Sequence, residues 1–335
     1  MSDHTFRARA QCADGFSLIE LMISLTIGLL LVWVVFSGYA SAITAGRVAE
    51  AQGRMNDDAN AALNVLTQQL RMAGSNPAQP GRTDKSRHNP VYNPYDPTTF
   101  VVTPATASPS SFSIRACSKN FSNITSAPSA DALTCPAGNA SSTNSIAVSY
   151  EADVFNSVPA TSGMPADCVG SNLAQTQVKF PAEAPPGPYF YRVAENRFYI
   201  DLSSAQVPSL YCRGNGQNGK PQPLVENIED LQFSFGVVKA STMAADVATA
   251  SVSGYLRADE LTTSPALAAL PDDAARWAKV VAVRVCILAR TEAKVASGPT
   301  SARYTKCDGT VESTPPDLRL RRAYTTTVVL RNRRL

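Results

Sequence analysis

From Leu21 to Gly46 the chain runs 26 residues without Asp, Glu, Lys, Arg or His. Beyond that run the hydrophobic pattern changes period without breaking. The run exceeds the roughly 20 apolar residues a membrane-spanning helix needs, and also the roughly 7–15-residue apolar region of an ordinary secretory signal. Past it, Val48, Ala51, Met55, Ala59, Ala62, Leu66, Leu70 and Ala73 recur at steps of three and four, the mark of one helix face. Arg47, Glu50, Arg54, Asp57, Asp58 and Arg71 fall mainly off that face. Gly74 suits a C-terminal cap, and Ser75-Asn76-Pro77 does not readily extend a helix. The pattern predicts one helix over 16–74, about 88 Å long at 1.5 Å per residue. It would span a membrane over 18–43 and be amphipathic over 44–74, with Gly28, Gly38, Gly46 and Gly53 allowing close packing.

Residues 75–335 make a head of 261 residues, enough for a sizeable core. Residues 76–145 are dense in Pro, Ser, Thr, Asn and Ala and read as long loops between short strands. Strand signals sharpen at Ser145 to Tyr150, Tyr189 to Val193, Arg197 to Leu202, Leu231 to Val238, Val280 to Leu288 and Tyr324 to Leu330. The alternation in Arg197 to Leu202 predicts a half-buried strand, and Val280 to Leu288 a central, fully covered one. Leu224 to Leu231 reads as a helical turn entering the next strand. The fold class expected is α+β, a long N-terminal helix packed on an antiparallel sheet with pinned loops.

The net charge of +3 implies no nucleic-acid partner. Of seven cysteines, Cys12 stands ahead of the apolar run. The remaining six, in an exported head, read as three disulfides. Six cysteines allow fifteen pairings; sequential pairing, Cys117–Cys135, Cys168–Cys212 and Cys286–Cys307, closes the shortest loops and is the one expected. No CxxC occurs, His88 is the only histidine beyond His4, and no Asp/Asn run has the spacing of a calcium loop, so no metal and no cofactor is expected.

The chemistry that stands out is at the mouth of the apolar run. Gly15 is followed by Phe16-Ser17-Leu18-Ile19-Glu20. Small-residue cleavage sites of ordinary signals lie after the apolar stretch; Gly15 lies before it, so a cut there would leave the helix on the mature chain. Arg7 and Arg9 lean toward a cytoplasmic N-terminus. An ionisable Glu20 at the start of a membrane span is costly, and so a functional candidate. An interfacial carboxylate near the positive end of the helix dipole is the plainer reading of it.

The stretch from Gly15 to Ser24 resembles the N-terminus of type IV pilins and type II secretion pseudopilins. That resemblance implies a leader, 1–15, removed by a prepilin peptidase that cuts after Gly15 and methylates the new N-terminal Phe16. It also implies that Glu20 docks against the Phe16 amine of a neighbouring subunit. Leu224 to Phe233, Val281 to Val285 and Leu330 to Arg333 resemble the head of PilW-type minor pilins and the related J-type minor pseudopilin. The expected protein is therefore a non-catalytic minor pilin that helps prime pilus assembly. Its expected partners are other minor pilins, the major pilin, the prepilin peptidase and the inner-membrane assembly platform. It would sit in the inner membrane with a periplasmic head before entering the pilus. A J-class pseudopilin and a pilus-borne adhesin are the alternatives.

Two motifs are decoys. Gly214-Asn215-Gly216-Gln217-Asn218-Gly219-Lys220 satisfies GxGxxG, but Pro221 replaces the hydroxyl of a phosphate loop and no helix is predicted after it. The arginines Arg319, Arg321, Arg322, Arg331, Arg333 and Arg334 invite a DNA contact, yet they flank an apolar strand as edge-protecting charges do. A Gly15→Ala chain is expected to stay as uncleaved precursor in the membrane fraction. Normal maturation of that variant, read from its N-terminal peptide mass, would remove the peptidase reading.

Overall fold

The computed structural model describes residues 17–77, 91, 101–103, 112–137, 143–157, 161–179, 188–217, 219–239 and 251–332. Two units, Met1–Glu50 and Ala51–Leu335, divide the chain. Helix α1, Leu18–Met72, runs through the boundary as one 55-residue element. In the first unit its large apolar side chains, from Leu18 to Phe36, all face outward, and no residue of its most apolar 18-residue window is buried. It is the one described helix long and apolar enough to cross a membrane. The hydroxyls of Ser24, Thr26, Ser37 and Thr44 donate to backbone carbonyls three or four residues back. Hydroxyls bonded in this way need no water, as an apolar surround requires. Gly28, Gly38, Gly46 and Gly53 look onto open space, so no contact within the chain requires them.

In the second unit α1 buries Met55, Ala59, Ala62, Leu66 and Leu70, and Ala73 follows; Ala51, on the same predicted face, is only partly covered, as is Val48 in the first unit. The helix stops where Gly74 turns to φ +70. The Gly74 N–H donates to the Ser149 carbonyl at 2.9 Å, and Ser75 N–H to Met72 O at 2.8 Å. Glycine meets the left-handed requirement of that cap without strain.

The strands are β1 Val101–Thr103, β2 Ile114–Cys117, β3 Ser145–Glu151, β4 Thr176–Lys179, β5 Pro188–Tyr191, β6 Val193–Leu202 and β7 Pro208–Arg213. β8 Gln222–Glu226, β9 Ile228–Val237 and β10 Gly254–Leu256 follow, then α2 Ala258–Thr263 and α3 Asp273–Ala278. β11 Val280–Arg290, β12 Tyr304–Thr305, β13 Val311–Glu312 and β14 Arg321–Val329 complete the chain. A five-stranded sheet has the order β2-β3-β6-β7-β8, and a four-stranded one β10-β9-β11-β14. Every pairing within them is antiparallel. Smaller sheets are β1-β4-β5 and the β12-β13 hairpin.

One core joins α1 to both large sheets: Leu66 and Leu70 share it with Ile146, Phe198, Leu210, Phe233, Val283 and Ile287. Trp277 of α3 packs edge-on against Phe235 at 4.9 Å between centroids. The six head cysteines join as Cys117–Cys135, Cys168–Cys212 and Cys286–Cys307, with Cα separations of 5.6, 6.4 and 5.7 Å.

Two sequence expectations are corrected. Leu224 to Leu231 is not a helical turn; β8 and β9 follow each other with only Asn227 between them, at φ +62. Asn tolerates that conformation, so one residue swings the chain from the five-stranded sheet into the four-stranded one. Arg197 to Ile200 is not half-buried either: all four residues are buried. A second cluster, Phe121, Ile124, Ala127, Ala130 and Leu133, covers the sheet face opposite α1 around Tyr199. Beneath it Arg197 and Glu195 pair at 2.6 Å while almost fully enclosed. Glu195 also accepts the Ala130 N–H at 2.6 Å, and Arg197 donates to Ile124 O at 2.7 Å. Burial pushes the Glu195 carboxyl up, against the Arg197 charge that pulls it down.

Leu66→Ala is expected to cost about 2–5 kcal/mol, the scale of a large-to-small change in a packed core. Denaturant unfolding of the detergent-solubilised protein, followed by tryptophan fluorescence, measures this. Leu31→Ala, on the exposed stretch, is expected to leave the head's midpoint unmoved.

Candidate functional site

Glu20 sits in the first turn of α1 and is exposed. Its Oε2 accepts the Ser17 N–H at 3.4 Å, a weak local cap, and among the described residues no cation pairs with it. Gly15 and Phe16 lie outside the described residues. The carboxylate therefore stands at the head of a helix whose following side chains, Leu21, Met22, Ile23 and Leu25, are all open. A carboxylate in lipid or in a dry protein interface needs a counter-charge, since an unpaired one is strongly disfavoured. A protonated amine is one group that meets the need.

The GxGxxG stretch does cradle an anion, but the anion belongs to the chain. Asp167 Oδ2 accepts the Gly216 N–H at 2.8 Å, and its Oδ1 accepts Val169 and Ser171 N–H at 3.0 and 2.9 Å. A Cβ on Gly214 would meet Asp167 Oδ2 at 2.1 Å, and one on Gly216 would meet Ser171 O at 2.6 Å. These two glycines are needed for close approach, next to the Cys168–Cys212 bond. From there buried Asn196 continues to α1, accepting the Cys168 N–H at 3.0 Å and donating to Gln69 Oε1 at 2.7 Å. The loop is a brace between helix, sheet and disulfide.

The arginine group is divided. Arg321, buried on β14, makes a bidentate pair with Glu229 at 2.6 and 2.9 Å and reaches Asp317 at 2.8 Å. Arg319 holds the other Asp317 oxygen at 2.7 Å. Burial would raise the Asp317 carboxyl, but the hydrogen bonds from Arg321 and Arg319 outweigh it and hold it far below the usual range. Arg322 and Arg331 remain exposed, Arg322 lying 5.6 Å from the Tyr324 ring centroid. Arg333 and Arg334, like His88, lie outside the described residues.

A cleft of about 570 Å³ opens between α1 and the β8–β9 junction, lined by Met55, Asp57, Asp58, Glu226, Asn227 and Glu292 among others. Burial pushes the Asp58 carboxyl up, against a hydrogen bond from the Asn227 side chain. Among the described residues no three of His, Cys, Asp and Glu gather as metal ligands. The placements that sequence reasoning missed are the Asp167 brace and the Glu229–Arg321–Asp317 network. Their partners are separated by 49 and 92 residues, and only the glycine spacing hinted at either.

Two family models match the chain. Residues 197–332 match type IV pilus-assembly protein W, and residues 12–36 match the prokaryotic N-terminal methylation motif. No curated protein and no solved structure matches it. The two family matches together are those of a PilW-like type IV minor pilin, and they support a type IV pilus component anchored through its N-terminal helix.

Gly214→Ala is expected to destabilise the head by about 1–3 kcal/mol, because the added methyl must displace Asp167. Thermal unfolding under oxidising conditions measures this; an unchanged midpoint would show that the loop has slack.

Proposed function

We propose that the chain is a minor pilin that helps prime pilus assembly in complex with other minor pilins, as a structural subunit without catalysis. The observation that carries the proposal is the unburied apolar stretch of α1 with Glu20 at its first turn. Such a surface is stable in lipid or among similar helices and nowhere in water, because exposing apolar area costs about 25 cal/mol per Å². A subunit leaving the membrane must therefore pass its helix directly into a bundle. The family match over the head favours the pilus over a type II secretion pseudopilin.

In this reading a prepilin peptidase removes 1–15 and methylates the amine of Phe16. The helix anchors the protein in the inner membrane, with the head in the periplasm. On assembly, Glu20 of the incoming subunit receives the Phe16 amine of its neighbour, so two groups costly in an apolar medium satisfy one another. Contacts of this head-to-tail kind do not close on themselves and so build filaments.

Glu20→Ala is expected to be cleaved and membrane-inserted normally but depleted on the order of tenfold from sheared filaments, from the loss of one buried charge pair. Immunoblots of membrane and filament fractions decide it. Parental levels of the variant in filaments would show that Glu20 plays no part in docking.

A further inference from the structure

Among the described strands, β14 is the long edge that nothing guards. It ends the order β10-β9-β11-β14, so a neighbour pairs with it on one side only. Its nine residues face β11 without a register shift, from Arg321 opposite Arg290 to Val329 opposite Ala282. The other edges of the three larger sheets are blunted. β1, β2, β5 and β10 are three or four residues long. β8 carries Pro223 at a register shift against β7. In β14 the run from Ala323 to Val329 contains no charge, no Pro and no Gly. Proteins ordinarily blunt an edge strand, because its unpaired backbone is a template for another strand.

The free groups on this edge can be named. Leu330 N–H donates to Val281 O and Thr291 N–H to Leu320 O, each at 2.9 Å. Antiparallel alternation from those bonds turns the even-numbered residues of β14 toward β11. Ala323, Thr325, Thr327 and Val329 therefore point N–H and C=O away from the sheet. Among the described residues no backbone group pairs with them there. Thr325 and Thr327 are exposed, and Val329 is 46% exposed. Threonine and valine are stiff at χ1 and favour the extended state. The strand is also tied to α1: the Tyr324 hydroxyl bonds the Asn56 side chain, and Asn332 Nδ2 donates to Arg71 O at 2.6 Å.

We propose that β14 accepts an extended segment of a different pilus subunit as an added strand. The proposal rests on the pilus-subunit reading given above. A row of alternating N–H and C=O groups is matched by another strand and not by a helix, which uses its own backbone groups internally. An edge already held straight spares the entropy of ordering one partner on binding. Charge defines the incoming segment. Arg322 and Arg331 stand exposed at the two ends of the edge. The nearby carboxylates, Asp317 and Glu229, are held by Arg319, Arg321 and Arg290. The segment that fits is uncharged at its centre and acidic toward its ends. A second copy fits poorly. Antiparallel self-pairing would bring the Arg322 end of each strand to the Arg331 end of the other, and like charges across a strand pair are destabilising.

The test is a photo-crosslinking phenylalanine analogue at position 327 of the full chain, expressed in its own cells. The same analogue at Val311, 65% exposed on β13, is the control. The expected result is a cross-link from 327 to a different pilin-type subunit, identified by its peptides, and none to that subunit from 311. Pairing through the backbone also predicts a pattern of variants. Thr327→Pro removes an outward N–H and no bond to β11, and should fall about tenfold in filaments. Thr327→Val should hold the parental level. Thr325→Lys with Thr327→Lys charges the edge without altering the backbone and should fall as the proline variant does; it decides the matter if proline disturbs the fold. Cross-links only within the chain or only to a second copy would overturn the proposal, as would none. So would parental incorporation of the double lysine variant. Absence of the parental protein from filaments would instead remove the pilus reading, and the partner named here with it.

Discussion

One face of α1 sets the terms for the head. Met55, Ala59, Ala62, Leu66, Leu70 and Ala73 are buried in sequence, and three of the six are alanines. Small side chains let two sheets approach the helix closely, while Met55, Leu66 and Leu70 fill the space between strands. The same helix carries the exposed stretch that water cannot tolerate. The folding of the head and the demand for an apolar surround are therefore properties of one element: its second half is satisfied within the chain, its first half only by lipid or other apolar surfaces.

Around that face the head relies on covalent and polar ties wherever apolar area runs short. The Cys117–Cys135 bond closes the loop that covers the outer face of the five-stranded sheet, and the enclosed Glu195–Arg197 pair fixes that loop's backbone. Asn196 connects α1 to the Cys168–Cys212 loop, where glycines yield space to Asp167. Arg321 stitches β14 to β9 through Glu229. Isolated exposed ion pairs contribute little; these are enclosed and multiply hydrogen-bonded, so removing one partner would leave the other in want of a counter-charge.

Much of this was legible in the chain because it is written in local period. The helix face, its end near Gly74 and the strands at Ser145, Val280 and Tyr324 all follow from spacing that neighbouring residues enforce. Asn227 was not legible: a run of alternating Leu, Val, Glu and Ile around it fits a helical turn as well as a kinked strand, and only the second sheet's demand for a partner decides. Nor could Arg197 to Ile200 show its full burial, because the residues covering it come from a loop some 70 positions earlier. The glycine-rich stretch was rejected as a phosphate site on local grounds, yet its true partner, Asp167, sits 49 residues away. At the N-terminus the order is reversed. Gly15, Phe16 and Glu20 carry their meaning as a motif, and the fold adds only that Glu20 stands open beside an unburied helix.

The most direct measurement is the N-terminal peptide mass of this protein recovered from sheared, purified filaments. The expected peptide begins at Phe16 and carries one added methyl group. A peptide beginning ahead of Phe16, or the absence of the protein from filaments while it accumulates in the membrane, would contradict its role as a processed pilus subunit.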